Sequence, residues 1–322
     1  LNLSDDAAII SPPAGCELVI TKDAISEGIH FIGSESPDLI AGKALRVNLS
    51  DLAAMGAQPL CYFLALMLPK NTSEQWLEKF AGGLKKTGEE FKISLAGGDT
   101  TATNGSLSIS ITAIGSVPRG TALRRNGAKM NDDIYVSGTL GDSALGLQLL
   151  LNPTSHAPLP SSHFINRYLT PQPRISLGIA LRDIATACMD ISDGLAQDLG
   201  HICTASSVGA VIYANQVPLA SLRGVALKLK AEADDVAIQH LDITGLLRYT
   251  RNDEIITALT GGDDYELLFT VPPAKKSIIE QLAKTLGLPL TCIGKITEGN
   301  NVKILDENGK TIELNKKGFS HF

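Results

Sequence analysis

The chain has 322 residues, 44% hydrophobic and 19% charged, and at about 100–200 residues per domain this length predicts roughly two globular domains. That balance excludes a disordered chain, a coiled coil and a collagen. Against 34 acidic residues stand 28 basic ones, a net charge of −6, and no run nears the roughly 18–20 apolar residues of a membrane helix, so neither nucleic acid nor a bilayer is an expected partner.

Glycines number 30 while aromatics make up only 5%, which favours small ligands held by backbone over stacking platforms. The five cysteines, Cys16, Cys61, Cys188, Cys203 and Cys292, are odd in number and contain no C-x-x-C spacing. Free thiols in a reducing cytoplasm are the expectation. The first residue is Leu1, so an N-terminal piece is expected to precede it.

In chain order, Glu17 to Thr21 reads as a strand. Ser36-Pro37 opens a helix that runs through Leu45 and Leu49 to Gly56, with serine as N-cap and proline at the first helical position. Pro59 to Leu68 is an apolar run that predicts a strand buried on both faces. Thr72 and Gln75 have capping-box spacing, and Trp76, Phe80 and Leu84 form a helical stripe. Leu107 to Ile114 alternates polar and aliphatic residues, the pattern of a half-buried strand.

Residues 119–133 are polar and basic and mark a domain boundary. An N-terminal domain of 1–133 and a C-terminal domain of 134–322 follow. The second half predicts helices near 171–187, 193–206 and 274–287 and strands near 134–138, 208–213, 266–271 and 290–296. Asn152 to Ser162 reads as a loop. Asn48-Leu49-Ser50-Asp51-Leu52-Ala53-Ala54 and Asp190-Ile191-Ser192-Asp193-Gly194-Leu195-Ala196 look alike and hint at two related halves.

The chemistry is concentrated in acidic motifs within apolar, glycine-rich surroundings. These are Ser4-Asp5-Asp6-Ala7-Ala8, Thr21-Lys22-Asp23, Asn48-Leu49-Ser50-Asp51, Gly97-Gly98-Asp99-Thr100-Thr101, Asp190-Ile191-Ser192-Asp193-Gly194 and Gly261-Gly262-Asp263-Asp264-Tyr265-Glu266. Any one such aspartate is ordinarily a cap or a turn residue. Six sets are harder to explain that way, because a carboxylate against apolar surface is costly unless paired or metal-bound. Oxygen ligands without a histidine or cysteine cluster select hard cations such as Mg²⁺, and Mg²⁺ usually shares its shell with phosphates.

No G-x-x-x-x-G-K-[ST] loop exists. Ser137-Gly138-Thr139-Leu140-Gly141-Asp142-Ser143 follows a strand and opens a helix; it reads either as a plain turn or as a phosphate-binding helix N-terminus. Arg125, in the most basic stretch of the first half, reads as a solvated linker residue or a phosphate ligand. His30 reads as a core histidine or a ligand, and Phe319, near the end, as a tail residue.

Taken together, the order and spacing of these motifs, with Glu27-Gly28-Ile29-His30-Phe31 and the terminal Lys317-Gly318-Phe319, resemble the thiamine-monophosphate kinase family. The likeness spans the chain from Asp5 onwards. Single motifs recur in related ATP-dependent enzymes such as aminoimidazole ribonucleotide synthetase and selenophosphate synthetase. The resemblance implies a two-domain α+β fold of the aminoimidazole ribonucleotide synthetase type, with N-terminal sheets pairing across a homodimer. It implies that Asp6, Thr21, Asp23, Asp51, Asp99, Asp190 and Asp193 hold several Mg²⁺ ions. Gly98, Asp99, Arg125 and Ser192 would touch ATP, and His30, Asp263 and Phe319 would touch thiamine monophosphate.

The chain departs from the family pattern in three places. Leu3-Ser4 replaces glycines, Asp263 replaces a longer glutamate, and Lys22 stands where a hydroxyl residue is common, its ammonium standing in for some cation charge. The activity implied is direct in-line transfer from ATP to the substrate phosphate, with no phosphoenzyme, since no base–orienter arrangement for a nucleophile is visible. The alternatives are ATP activation of an amide or selenide within the same superfamily, and a dinucleotide oxidoreductase using the turn at 137–143.

Overall fold

A computed structural model describes residues 7–151, 161–219, 251–316, 318 and 319. The described strands are β1 (Cys16–Ser26), β2 (Gln58–Pro69), β3 (Ser94–Thr103), β4 (Ser108–Pro118), β5 (Asp133–Ser137), β6 (Ala187–Asp190), β7 (Gly209–Tyr213), β8 (Leu267–Val271), β9 (Leu290–Thr297) and β10 (Val302–Leu305). The described helices are α1 (Pro37–Ala54), α2 (Glu74–Phe91), α3 (Asp142–Leu151), α4 (Ser161–Leu169), α5 (Ile175–Ala180), α6 (Leu195–Ser206), α7 (Arg251–Thr260) and α8 (Lys276–Leu286). The chain forms two compact units. One takes residues up to Leu123 together with Gln172–Asp183; the other takes Arg124–Pro171 and continues from Ile184. Residues 124–133, read from sequence with the first half, thus lie in the second unit.

In the first unit four strands run in the order β1-β4-β2-β3, antiparallel except for the parallel pair β2–β3. The alternation in β4 does what its pattern predicts. Ile109, Ile111 and Ala113 are fully buried on one face, while Ser108, Ser110 and Thr112 occupy the other. The apolar run of β2 is a central strand, yet Phe63, Ala65 and Met67 are only half-buried, so one face is less covered than expected.

Helix α1 starts where Pro37 allows, although Ser36 makes no side-chain cap and its hydroxyl bonds Asp38 instead. Ahead of α2 the cap is Ser73, which accepts from the Trp76 amide at 3.2 Å. Thr72, the expected cap, donates to the Pro69 carbonyl at 2.7 Å. The long helix expected over 171–187 is the six-residue α5, followed by a left-handed Asp183 and the short strand β6. Leu177 and Leu181 are buried, and Arg182 Nε donates to the Gly56 carbonyl at 2.7 Å, which fastens this segment to the end of α1.

The second unit holds a six-stranded sheet in the order β10-β7-β9-β5-β8-β6, mostly antiparallel, with only β10–β7 parallel. Ile134, Val136, Met189 and Leu268 from the sheet pack with Leu195, Leu199 and Ile202 of α6 and with Ala258 and Leu259 of α7. Helix α4 begins at Ser161, inside the expected loop; the rest of that loop, residues 152–160, lies outside the described residues. Helix α7 and strand β10 were not expected at all. The resemblance between the 48–54 and 190–196 segments does not extend to structure: the first lies inside α1, the second runs from a strand end through a loop into α6. Among the described residues no helix is long and apolar enough to cross a membrane.

Two adjacent glycines of α2 make the packing testable. A Cβ on buried Gly83 would stand 2.3 Å from the Asp38 carbonyl oxygen, whereas one on exposed Gly82 would meet nothing within 4 Å. Gly83→Ala should lower stability by about 1–3 kcal/mol by forcing α1 and α2 apart. Gly82→Ala should raise it by about 0.5–1 kcal/mol through helix propensity. Denaturant unfolding of the two variants checks the opposite signs.

Candidate functional site

In the first unit three of the expected residues come together where β1 meets the end of α1. The Thr21 hydroxyl donates to Asp51 Oδ2. The Asp23 amide donates to Asn48 Oδ1 at 3.0 Å, and Asn48 Nδ2 donates back to the Ala44 carbonyl within α1 at 3.0 Å. Asn48 is buried and staples strand to helix, which explains the asparagine in the Asn48–Asp51 motif. Thr21 and Asp23 are two apart on β1 and so share a face.

Asp51 lies in the last turn of α1, where the helix dipole is negative and no basic residue of that turn offsets it. Burial, and then the nearby Asp51 charge, push the Asp23 carboxyl up to about 6. Such a pair favours an added positive charge. Lys22 does not bring it there: it points to the opposite face, pairs in register with Thr112, and reaches the Thr112 hydroxyl at 3.5 Å.

Asp99 stands apart from this cluster. It lies on β3, at the other edge of the sheet, exposed, and accepts from the Thr100 amide at 2.8 Å. Three strand spacings, roughly 14 Å, separate β1 from β3. One Mg²⁺, with ligands at about 2.1 Å, cannot touch both Asp23 and Asp99 of this unit. Gly98 shares a row with Leu64, Ile111 and Asp23, and a Cβ there would lie 2.0 Å from the Leu64 oxygen.

His30 closes the turn that follows β1. Its ring Nδ1 accepts from the Ser26 amide at 3.1 Å, while its own amide donates to the Ser26 carbonyl at 2.9 Å. An accepting Nδ1 leaves the neutral ring's hydrogen on Nε2. Lys43 donates to the His30 carbonyl at 2.9 Å and holds the turn against α1.

In the second unit Asp190, Ser192, Asp193, Asp263 and Phe319 gather at one place. Asp190 ends β6, buried, opposite Leu267 of β8. Beyond it the two acidic motifs continue to pair through backbone. Ile191 N–H donates to the Glu266 carbonyl at 2.9 Å, Tyr265 N–H to Ile191 at 2.8 Å, and Asp263 N–H to Ser192 at 2.8 Å. The second glycine of Gly261-Gly262 permits this approach, since a Cβ on Gly262 would lie 2.5 Å from the Ser192 oxygen. Asp263 and Tyr265 both adopt left-handed backbone, which costs about 1 kcal/mol or more each and is the kind of strain that collects at functional sites. The Phe319 amide donates to the Asp193 carbonyl at 2.9 Å, so the tail reading of Phe319 is overturned.

Asp198 is a residue the sequence reading missed. Its Oδ2 accepts from the Ser192, Asp193 and Gly194 amides at 3.1, 3.2 and 3.1 Å and fixes the loop before α6. Burial, and then the Asp193 charge, push its carboxyl up to about 7 against those three bonds. Asp193, Asp198 and His201 each place a ligand atom within 4.8 Å of the others. Helical spacing, with 198 and 201 on one face, was the available signal.

The second and third acids of the Asp263–Glu266 motif are inward and structural. Asp264, fully buried, accepts from the Gly141 and Ser143 amides at 2.7 and 3.4 Å. Glu266 accepts from the Ser137 hydroxyl at 2.5 Å and from Arg167 at 2.8 Å. The 137–143 turn therefore has its helix-start amides taken by the chain's own carboxylate, and the dinucleotide-loop reading falls. Arg125 is exposed, and its carbonyl accepts from the Ser206 hydroxyl at 3.1 Å. Asp6 lies outside the described residues. All five cysteines are free thiols, and burial raises the pKa of Cys61, Cys188, Cys203 and Cys292, which disfavours a thiolate nucleophile.

The donor set is carboxylate and hydroxyl oxygen, which fits Mg²⁺ and not a soft metal. Residues 4–117 match the AIR synthase related protein N-terminal domain and residues 130–307 its C-terminal domain. The thiamine-monophosphate kinase of Haemophilus influenzae is 41% identical over 325 residues, covering 100% of this chain and 92% of that one. The crystal structure of thiamine-monophosphate kinase from Stenotrophomonas maltophilia K279a has a TM-score of 0.81 at 41% identity, covering 97% of this chain and 92% of that one. AaThiL complexed with AMPPCP and TMP has a TM-score of 0.78 at 32% identity, covering 97% and 89%. With this fold, these motifs and this full-length similarity, the chain belongs to the thiamine-monophosphate kinase family.

Proposed function

We propose that this chain transfers the γ-phosphoryl group of ATP to the phosphate of thiamine monophosphate, giving ADP and thiamine diphosphate, the last step of thiamine diphosphate biosynthesis. The observation that carries the reading is the gathering of Asp190, Ser192, Asp193, Asp263 and Phe319 by backbone pairing, in a chain similar over its full length to such kinases. The acceptor is a phosphate oxygen, largely ionised near neutral pH, so no strong general base is needed. Positioning and charge neutralisation then carry the rate.

Asp6, Thr21, Asp23, Asp51, Asp99, Asp190 and Asp193 would hold Mg²⁺, which when bound supplies neutralisation of phosphate charge and alignment of donor and acceptor. Gly98, Asp99, Arg125 and Ser192 would contact ATP. His30 would offer its Nε2 hydrogen, Asp263 its carboxylate and Phe319 its ring to thiamine monophosphate. A homodimer belongs to this reading: two such sheets would cover the half-buried Phe63, Ala65 and Met67 and the exposed Ile20. So does a cytoplasmic setting, in keeping with free thiols.

The decisive test is ADP release with thiamine monophosphate, thiamine or an aminoimidazole precursor offered in turn. Turnover with the monophosphate alone supports the reading; turnover with the precursor alone sinks it.

Asp51→Asn should fold normally and lose about 100-fold or more in kcat/KM, because a neutral amide is a poor ligand at a charge-stabilising position. Near-normal turnover would remove Asp51 from the site.

Asp23 supplies a prediction in pH. Its carboxyl is raised from 3.8 to about 6, so its contribution to stability is fully present below pH 3.8 and lost as pH rises through about 6. Metal-free Asp23→Asn should therefore melt higher than wild type near pH 7.5, with the gap closing towards pH 4. Added Mg²⁺ should stabilise wild type and not the variant. A gap independent of pH would contradict this.

The initial rate should keep rising with free Mg²⁺ after all ATP is Mg-bound, with apparent order above one. ATP brings about four negative charges and the monophosphate about 1.5 to 2, and among the proposed ligands only Arg125 is basic. A curve flat beyond ATP saturation would exclude several ions.

A further inference from the structure

Gln197 stands in the first turn of α6, one helical turn after Asp193. Its Nε2 donates to Asp193 Oδ2 at 3.0 Å and to the Phe319 carbonyl at 3.1 Å. Both partners are acceptors, so the two amide hydrogens must face them and the amide's orientation is determined. The Phe319 amide donates to the Asp193 carbonyl at 2.9 Å. Residue 319 is thus held by both of its backbone polar groups, one on each side of a single turn of helix.

The chain just before it is seated equally closely. Gly318 is buried, and a Cβ there would lie 2.7 Å from the Asp193 oxygen and 2.7 Å from Gln197 Oε1. Here the tie leaves the ring of Phe319 exposed, with Lys316 Nζ 5.8 Å from its centre.

We infer that Gln197 is a positioning residue that ties the C-terminal segment to Asp193 and so holds the Phe319 ring where thiamine monophosphate binds. This rests on the proposed role of Phe319. The side chain itself touches neither reacting phosphate; it acts through Phe319. Losing it should weaken the hold on the acceptor more than the hold on ATP, which it touches only through its bond to Asp193. One lost neutral hydrogen bond corresponds to roughly a 3- to 10-fold change in an equilibrium constant.

Three variants test this: Gln197→Ala, Phe319→Ala and the two combined. For Gln197→Ala, KM for thiamine monophosphate should rise roughly 3- to 10-fold, and by more than KM for ATP. In the Phe319→Ala background the same change should add nothing further, as coupled residues require. Independently of turnover, hydrogen exchange at the Phe319 amide should accelerate about tenfold or more in Gln197→Ala.

An equal effect on KM for thiamine monophosphate in both backgrounds, or a larger effect on KM for ATP than on KM for thiamine monophosphate, would overturn the inference. Unchanged exchange at Phe319 in a chain that remains active would overturn the tether alone. A wild-type chain that turns over no thiamine monophosphate would overturn the kinase reading, and the ring's role with it, while the exchange measurement would still judge the tether.

Discussion

Asp51 occupies the least hospitable end of α1 for a negative charge, and half-buried Asp23 on β1 has its affinity for a proton raised first by burial and then by the Asp51 charge. Two carboxylates in a half-buried place repel, and the fold spends stability to keep them there. Asn48 shows how: a buried amide bonds strand and helix at once, so neither can swing the acids apart. Residues that store repulsion in this way make sense when the missing positive charge arrives with a ligand. The same logic applies around Asp193, where Asp198 is held close by three amides in spite of the neighbouring charge.

Much of this was legible in the residues. The strand β4, the helix α1 and the stripe of α2 follow from period and from proline placement. The order of the acidic motifs carried the family. What escaped had physical causes. Strand β3 runs through Gly97-Gly98-Asp99-Thr100-Thr101, a stretch that composition alone marks as a loop; it is a strand because β2 supplies parallel partners. The six-residue α5 was lengthened in the reading because its apolar spacing continues past Ala180 into β6, and only the left-handed Asp183 marks the break. Lys22 was credited with cation charge because it stands at a motif position where a hydroxyl residue is common, whereas alternation along the strand sends it to the face opposite Thr21 and Asp23. A role for Phe319 was legible only through the resemblance, since nothing in the residues beside it announces that Asp193 and Gln197 hold its backbone.

The motif Asp263-Asp264-Tyr265-Glu266 divides its labour by alternation. Asp263 stays with Ser192 at the site, with Tyr265 hydroxyl donating to it at 3.2 Å, while Asp264 and Glu266 are fully buried and engage the 137–143 turn and Arg167. Acidic residues that look equivalent in sequence thus answer to different demands. Burial pushes the Asp264 carboxyl up to about 8, so the interior keeps an acid whose value is its shape and its two oxygen acceptors more than its charge. The glycines beside it exist because backbone passes backbone there without room for a side chain.

The chain leaves the first unit after Leu123, builds part of the second, and returns with Gln172–Asp183 before leaving again. A ribosome releases these pieces in order. When residues up to 123 have emerged, the end of α1 still lacks Leu177, Leu181 and the Arg182 bond to Gly56, so the core of the first unit is incomplete. It must wait until some sixty further residues have been made, with the start of the second unit already outside. Synthesis therefore imposes a shared schedule on the two halves, and neither is a module that evolution or a cloning boundary can lift out by a single cut.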